Sequence, residues 1–256
     1  MCTVIVSLQP GTDWPVVLLG LRDELADRPW DPPGAWWPEL GDRVVGVHDR
    51  EAGGAWLAGA TGPSRLAVVL NRHEQPTAPP GGWTTRGALP LDAVVDGVVP
   101  TGPQTSRPFT LLSTDDGTAR TTSWDGESTT TTELPAGVHM LTHGRTDDPD
   151  VARVARWLPR FRSAPAPTSS LPDASDAGDG EGSWGPWLDV LRESAELPVE
   201  HDEAIVKRET LPDGRLFGSL SACMVALSAE RVSISHARLL GNGSVADALT
   251  RRTTTR

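Results

Sequence analysis

A cysteine stands at position 2, directly after the initiator methionine, and the chain has only one other, Cys223. Removal of Met1 is favoured before so small a second residue, and it leaves a free α-amine beside the thiol. The α-amine titrates at about 7.7–8.0 and a free thiol at about 8.5. A usable minority of the amine is therefore unprotonated at neutral pH and serves as base toward its own nucleophile. Such a unit needs no histidine. The apolar, β-branched runs "CTVIVSL" and "PVVLLGL" flank the turn-rich "QPGTDW" and read as a hairpin over 2–8 and 15–21. The midpoint of that hairpin sets Cys2 across from Arg22 and Asp23. There the carboxylate holds the ammonium form of the amine and the guanidinium favours the thiolate. Against this stands the plainer reading that Cys2 is a small buried residue opening a strand.

The elements that must position these groups are short strands with few helices. After the hairpin, "DRPWDPPGAWWPELGD" (27–42) is expected to be irregular because its prolines block helix, with Trp30, Trp36 and Trp37 as apolar mass. Strands are predicted at 43–47, 55–58, 65–71, 109–114, 118–124 and 137–142, with a small helix at 89–95. A longer helix opens with Asp147 and Asp148 as cap and Pro149 in its first turn, and Val151, Val154, Ala155, Leu158 and Phe161 recur at helical spacing. Pro159 is expected to end or kink it. A short helix at 187–195 precedes strands at 204–208, 216–227 and 231–240, the last two a hairpin around Ser228 to Glu230. Strand-rich ends around helical middle segments imply an α+β sandwich. The chain reads as a single domain over 1–256, with a disordered, low-complexity insertion at 164–185 and a loose tail at 241–256.

Composition narrows the classes of function. The net charge is −11, from 23 basic and 34 acidic residues, a field that repels phosphate backbones and anionic lipid. No run approaches 18 consecutive apolar residues, so no stable membrane insertion is expected. A basic n-region and cleavage site are missing from the N-terminus, and two cysteines make no disulfide framework, so a cytoplasmic setting is expected. The 26 glycines and 23 prolines favour long connections between strands.

Other signals fail on context. "GNGSVA" at 241–246 leaves too little chain to complete a βαβ unit, and "GDGEG" at 178–182 follows no strand. His139 and His143 in "HMLTH" would converge on a metal only from a helix. In a strand their side chains stand roughly 13 Å apart, so no metal site is expected.

Taken together, "MCTVIVSLQPGTDWPVVLLGLRDELADRP", "EAGGAWL" and "LAVVLNR" resemble the NRDE family, homologues of the transport and Golgi organisation protein 2. The match is weaker through "RLFGSLSACMVALSAERVSISHARLL". The resemblance implies a four-layered αββα sandwich of the N-terminal nucleophile hydrolase type. It implies a cysteine hydrolase acting on an amide or acyl bond of a small, partly apolar substrate, needing no cofactor. Cys2 is then nucleophile and base, Arg22 and Asp23 set its charge state, and Asn71 is the candidate oxyanion donor. Three positions depart from the family pattern. Leu21 replaces the opening Asn of the motif, "MLTH" replaces "GLSN" so that His143 stands where an amide donor is expected, and "GSLS" puts Leu220 where an Arg is expected. The family also implies an alternative, a haem or lipid/acyl-CoA binding and trafficking protein that uses the same pocket without turnover. Trp30, Trp36, Trp37 and Trp56 would then be apolar walls, and His48, His73 or His143 an axial ligand. The plainer reading of each tryptophan is loop packing.

Overall fold

A computed structural model describes residues 2–168, 182–239 and 250–255. In chain order the strands and helices are β1 (Thr3–Leu8), β2 (Val16–Leu25), β3 (Trp30–Gly34), β4 (Val44–Asp49), β5 (Ala55–Ala60), β6 (Arg65–Asn71), α1 (Ala88–Val95), β7 (Phe109–Asp115), β8 (Thr118–Trp124), β9 (Thr129–Leu134) and β10 (Gly137–Leu141). The chain continues with α2 (Ala152–Ser163), α3 (Gly185–Ser194), β11 (Arg208–Thr210), β12 (Leu216–Leu227), β13 (Arg231–Arg238) and β14 (Thr250–Thr255). One sheet has the order β10-β1-β2-β12-β13-β14, with β11 on β12, and the other runs β3-β4-β5-β6-β7-β8-β9. The registered strand pairs are antiparallel. The fold is thus mixed α+β, mostly antiparallel sheet with few helices. Among the described residues no helix is long and apolar enough to cross a membrane.

The chain divides into two compact units. The first holds residues 1–28, 136–226 and 233–251, and the second 29–135, 227–232 and 252–256. The core of the first lies between its sheet and the helices α2 and α3. Ile5, Val17, Leu19, Leu21 and Met140 meet Val154, Trp157, Leu158, Phe161, Trp187 and Leu191 there. The rings of Phe161 and Trp187 meet edge-on at 5.6 Å. Leu21, where the family motif has Asn, is fully buried in this core. In the second unit α1 packs on β5, β6 and β7. The second glycine of "EAGG" is required there, since a Cβ on Gly54 would run into the backbone of Gly87 at the start of α1. The Ala55 N–H donates to the Gly87 carbonyl at 2.8 Å, locking this close approach.

Several boundaries differ from expectation, each for a local reason. β2 runs four residues further than expected, so Arg22 and Asp23 lie on a strand. β3 forms inside the Pro- and Trp-rich segment as an edge strand on β4, with a register shift between Asp31 and Gly34 that accommodates Pro32 and Pro33. β9, built on the β-branched run "TTTTEL", closes the other edge of that sheet. Strand β11 is displaced from the expected 204–208. Asp147 does not cap α2; at φ 57° it turns its carboxylate back to β10, and the helix starts at Ala152. Pro159 is accommodated without ending the helix. The ends of the expected insertion belong to the fold. The Gln9 amide donates to the Pro167 carbonyl at 3.1 Å, and Trp184, in a 3-10 turn leading into α3, is buried. Residues 169–181 of that insertion and 241–249 of the expected tail lie outside the described residues, and Thr250–Thr255 is strand rather than loose tail.

Candidate functional site

The β1–β2 register pairs Thr3 with Leu21 and Val4 with Gly20, so one further step sets Cys2 opposite Arg22. The contact follows from that register. The Asp23 N–H donates to Cys2 Sγ at 3.4 Å, and the thiol donates toward the Asp23 carbonyl at 3.7 Å. Cys2, Arg22 and Asp23 are all buried, at 5%, 3% and 3% exposure. Strand alternation separates the charges of "RDE". Val17, Leu19 and Leu21 point into the helix-side core, and Asp23 continues their parity. Arg22 reaches Glu24 two residues on, at 3.4 Å, and Glu24 is also 3.7 Å from Arg28.

Two groups complete the surroundings of Asp23. Ser219, fully buried on β12, donates its hydroxyl to Asp23 Oδ1 at 2.5 Å. Arg153 comes from the first turn of α2, is 6% exposed, and donates from Nη1 to the Thr3 hydroxyl at 3.2 Å. Burial pushes the Asp23 carboxyl above its ordinary range, while the charge of the α-amine, the Ser219 hydroxyl and, least, the Arg153 guanidinium pull it down. Burial also raises the Cys2 thiol, and the neighbouring Asp23 charge adds to it, to about 11; the α-amine charge, the Asp23 N–H and Arg22 act in the opposite sense. A thiol in this state keeps its proton until a base takes it. Lys207 is held by its backbone N–H to Ser219 Oγ at 3.0 Å, and its Nζ reaches the His201 carbonyl.

The β1–β10 register pairs Val4 with Leu141. That pair is the last of the register, and half-buried His143 follows two residues on, in the bend after β10. His139 turns to Asp147, its Nδ1 2.8 Å from the carboxylate, which also accepts from the Met140 N–H at 2.7 Å and from Arg162 at 2.8 Å. Asn71 belongs to the second unit, where it is exposed at the end of β6 opposite Phe109. Leu220 is half-buried and offers its carbonyl to the Leu239 N–H at 3.0 Å. Arg153 carried no sequence signal, because a helical arginine is ordinarily a solvated one. Ser219 lay within the noted "GSLS", next to the position read for its missing Arg.

The second thiol lies deeper. The β12–β13 hairpin closes with the Ser228 N–H on the Arg231 carbonyl at 2.8 Å, and five steps back along each strand bring Cys223 opposite His236. Both are buried. Burial pushes Cys223 up to about 12 and His236 down to about 4, with Arg22 acting on both.

In the second unit His48 is held between two indoles. Trp36 stacks on it at 6.1 Å and Trp37 meets it edge-on at 5.8 Å. Its Nδ1 lies 2.9 Å from Asp31 Oδ2, whose other oxygen takes Arg50. Trp36 is 40% exposed, whereas Trp37 and Trp56 are buried. His73 is exposed.

Residues 1–163 match the family model described as transport and Golgi organisation 2. No curated protein matches the sequence.

Proposed function

The chain belongs to the transport and Golgi organisation 2 family, and from that premise we propose that it is a cysteine N-terminal nucleophile hydrolase. Its substrate is an amide or acyl compound, small and partly apolar, and its frame is the four-layered αββα sandwich of that class. The observation that carries the reading is the buried contact of Cys2 with Asp23. After loss of Met1 the Cys2 α-amine takes the thiol proton and the thiolate attacks the carbonyl carbon. The ammonium then returns the proton to the leaving group as the carbon–heteroatom bond breaks. Water, deprotonated by the same amine, hydrolyses the thioester and restores the thiol. Asp23 stabilises the ammonium form. His143, two residues beyond the Val4–Leu141 pair of β1 and β10, is the proposed donor to the oxyanion. The net charge of −11 makes nucleic acid an unfavourable partner.

Intact mass tests the premise of the mechanism. The expected result is a chain lacking Met1 whose Cys2 alone forms an acyl adduct with an activated-ester probe, the adduct being lost in Cys2→Ala. A retained methionine ends this reading.

A second reading, a haem or lipid carrier, draws support from His48. Its Nδ1 is engaged by Asp31, which leaves Nε2 as the ring nitrogen for an axial bond, an arrangement typical of oriented histidine ligands. Haem, when bound, would supply the iron that Nε2 ligates, with Trp36 and Trp37 as apolar neighbours. A haem titration followed by absorbance, with His48→Ala as control, is expected to saturate at one site; no saturable change removes this reading.

A further inference from the structure

Cys2 and Asp23 place two groups that can become anionic inside the first unit, and Arg153 stands beside them without a role in the mechanism above. We infer that Arg153 is a positioning residue of the Cys2 site, a buried guanidinium held by the Thr3 hydroxyl that favours the charged form of Asp23. The inference rests on the hydrolase reading for its purpose and on geometry for its content.

Thr3 follows Cys2 in the chain and is fully buried, so a guanidinium 3.2 Å from its hydroxyl is fixed next to the nucleophile. Thr3 pairs with Leu21 across β1–β2, and Asp23 is the next residue of the same parity on β2, so the carboxylate lies on the face of the sheet that Arg153 covers. A buried carboxyl ordinarily takes up a proton rather than bear the cost of desolvated charge. A neutral Asp23 could not hold an ammonium group on Cys2, so ionisation must be supported by a cation or by hydrogen bonds. Ser219 supplies one bond.

The other charged groups around Asp23 fit the part less well. Arg22 lies next to Asp23 on β2 itself, but its parity sends it to Glu24. Lys207, before β11, is in the field of Asp23, but its ammonium is committed to the His201 carbonyl and it shares the field of Asp202 and Glu209. Burial and the Arg153 charge also favour loss of the Lys207 proton, whereas a guanidinium stays charged when buried. Leu220, beside Ser219, brings no charge. The chain's α-amine lowers Asp23 more than any other group, but it gives up its proton in the mechanism, so the permanent charge on this side of the site comes from α2.

The experiment is a pH titration of the Asp23 carboxyl carbon in the full chain, labelled with 13C at aspartate Cγ and assigned by its loss in Asp23→Asn. In Arg153→Met the inflection is expected to move up by about one pH unit or more, equivalent to about a tenfold change in the proton equilibrium. Arg153→Lys should restore most of it. Thr3→Val, which frees the guanidinium without removing it, should produce a smaller upward movement and add nothing in the Arg153→Met background. An unmoved Asp23 inflection in a folded Arg153→Met overturns the inference, since a merely structural arginine would change stability and leave the titration alone. Should Arg153→Met fail to fold, Thr3→Val decides by the same criterion. A retained Met1 or absence of an acyl adduct would end the hydrolase reading, whereas the titration compares wild type and Arg153→Met with the same N-terminus, so the two failures are separable.

Discussion

Replacing Asp23 with Asn tests whether the Cys2 thiol is governed by its buried surroundings. The substitution removes one charge and little else. The backbone N–H of residue 23 still donates to Sγ, and an amide oxygen can still accept from Ser219. With Asp23 present the thiol sits at about 11, so at pH 8.5 roughly 0.3% of it is thiolate. Two unit charges about 6 Å apart at an effective dielectric of ~20 interact by about 3 kcal/mol, or about two pH units. Asp23→Asn is therefore expected to accelerate alkylation of Cys2 by iodoacetamide about 10- to 100-fold at pH 8.5. The rate is followed on the Cys2 peptide by mass spectrometry, in wild type and variant whose intact masses show the same N-terminus. Both proteins should react equally in strong denaturant. An equal or slower folded-state rate in Asp23→Asn refutes the reasoning. So does a wild-type profile with its midpoint near the ordinary thiol value of about 8.5, because the reaction would then proceed from an opened form.

Two further outcomes follow from buried ionisable groups. His236 is pulled from 6.5 to about 4 by burial, so the folded state resists a proton that the unfolded chain accepts. The stability this implies is full above pH 6.5 and is lost as pH falls toward 4, by at most about 3 kcal/mol; denaturant melts across that range should show the slope, and His236→Gln should flatten it. Asp147 is held below its ordinary value: burial acts upward, but His139, the Met140 N–H and Arg162 outweigh it. Its contribution is present above the unfolded-state value and disappears as pH falls through the folded one. Asp147→Asn tolerates the left-handed backbone and is expected to cost about 1–3 kcal/mol at pH 7, with the difference from wild type shrinking below pH 4; an unchanged denaturation midpoint at pH 7 would contradict it.

The hairpin shows how far local sequence reaches. Two apolar runs around "QPGTDW" suffice to set the register, because a short turn leaves few ways to pair and a slip by one residue would expose every buried side chain. From that register alone Cys2 meets Arg22 and Asp23, and β-branched composition finds most of the remaining strands. What local sequence could not supply was any partner distant in the chain. Arg153 reaches Thr3 across 150 residues and Ser219 reaches Asp23 across 196, and neither leaves a periodic trace. Asp147 looked like part of a helix cap because Asp147-Asp148 runs into Pro149, yet a left-handed backbone and three donors from β10 and α2 override that local preference. β3 was hidden by its prolines, which an edge strand with a shifted register can accept.

The sequence by itself thus determined the hairpin, the pairing of Cys2 with "RDE" and the strand-rich class of the fold, since these depend on short-range pattern. Only the tertiary structure decided how the charges of that site are compensated. Buried charges must be balanced within a few ångströms, and folding brings the balancing groups from wherever in the chain the packing of α2 and β12 happens to deliver them.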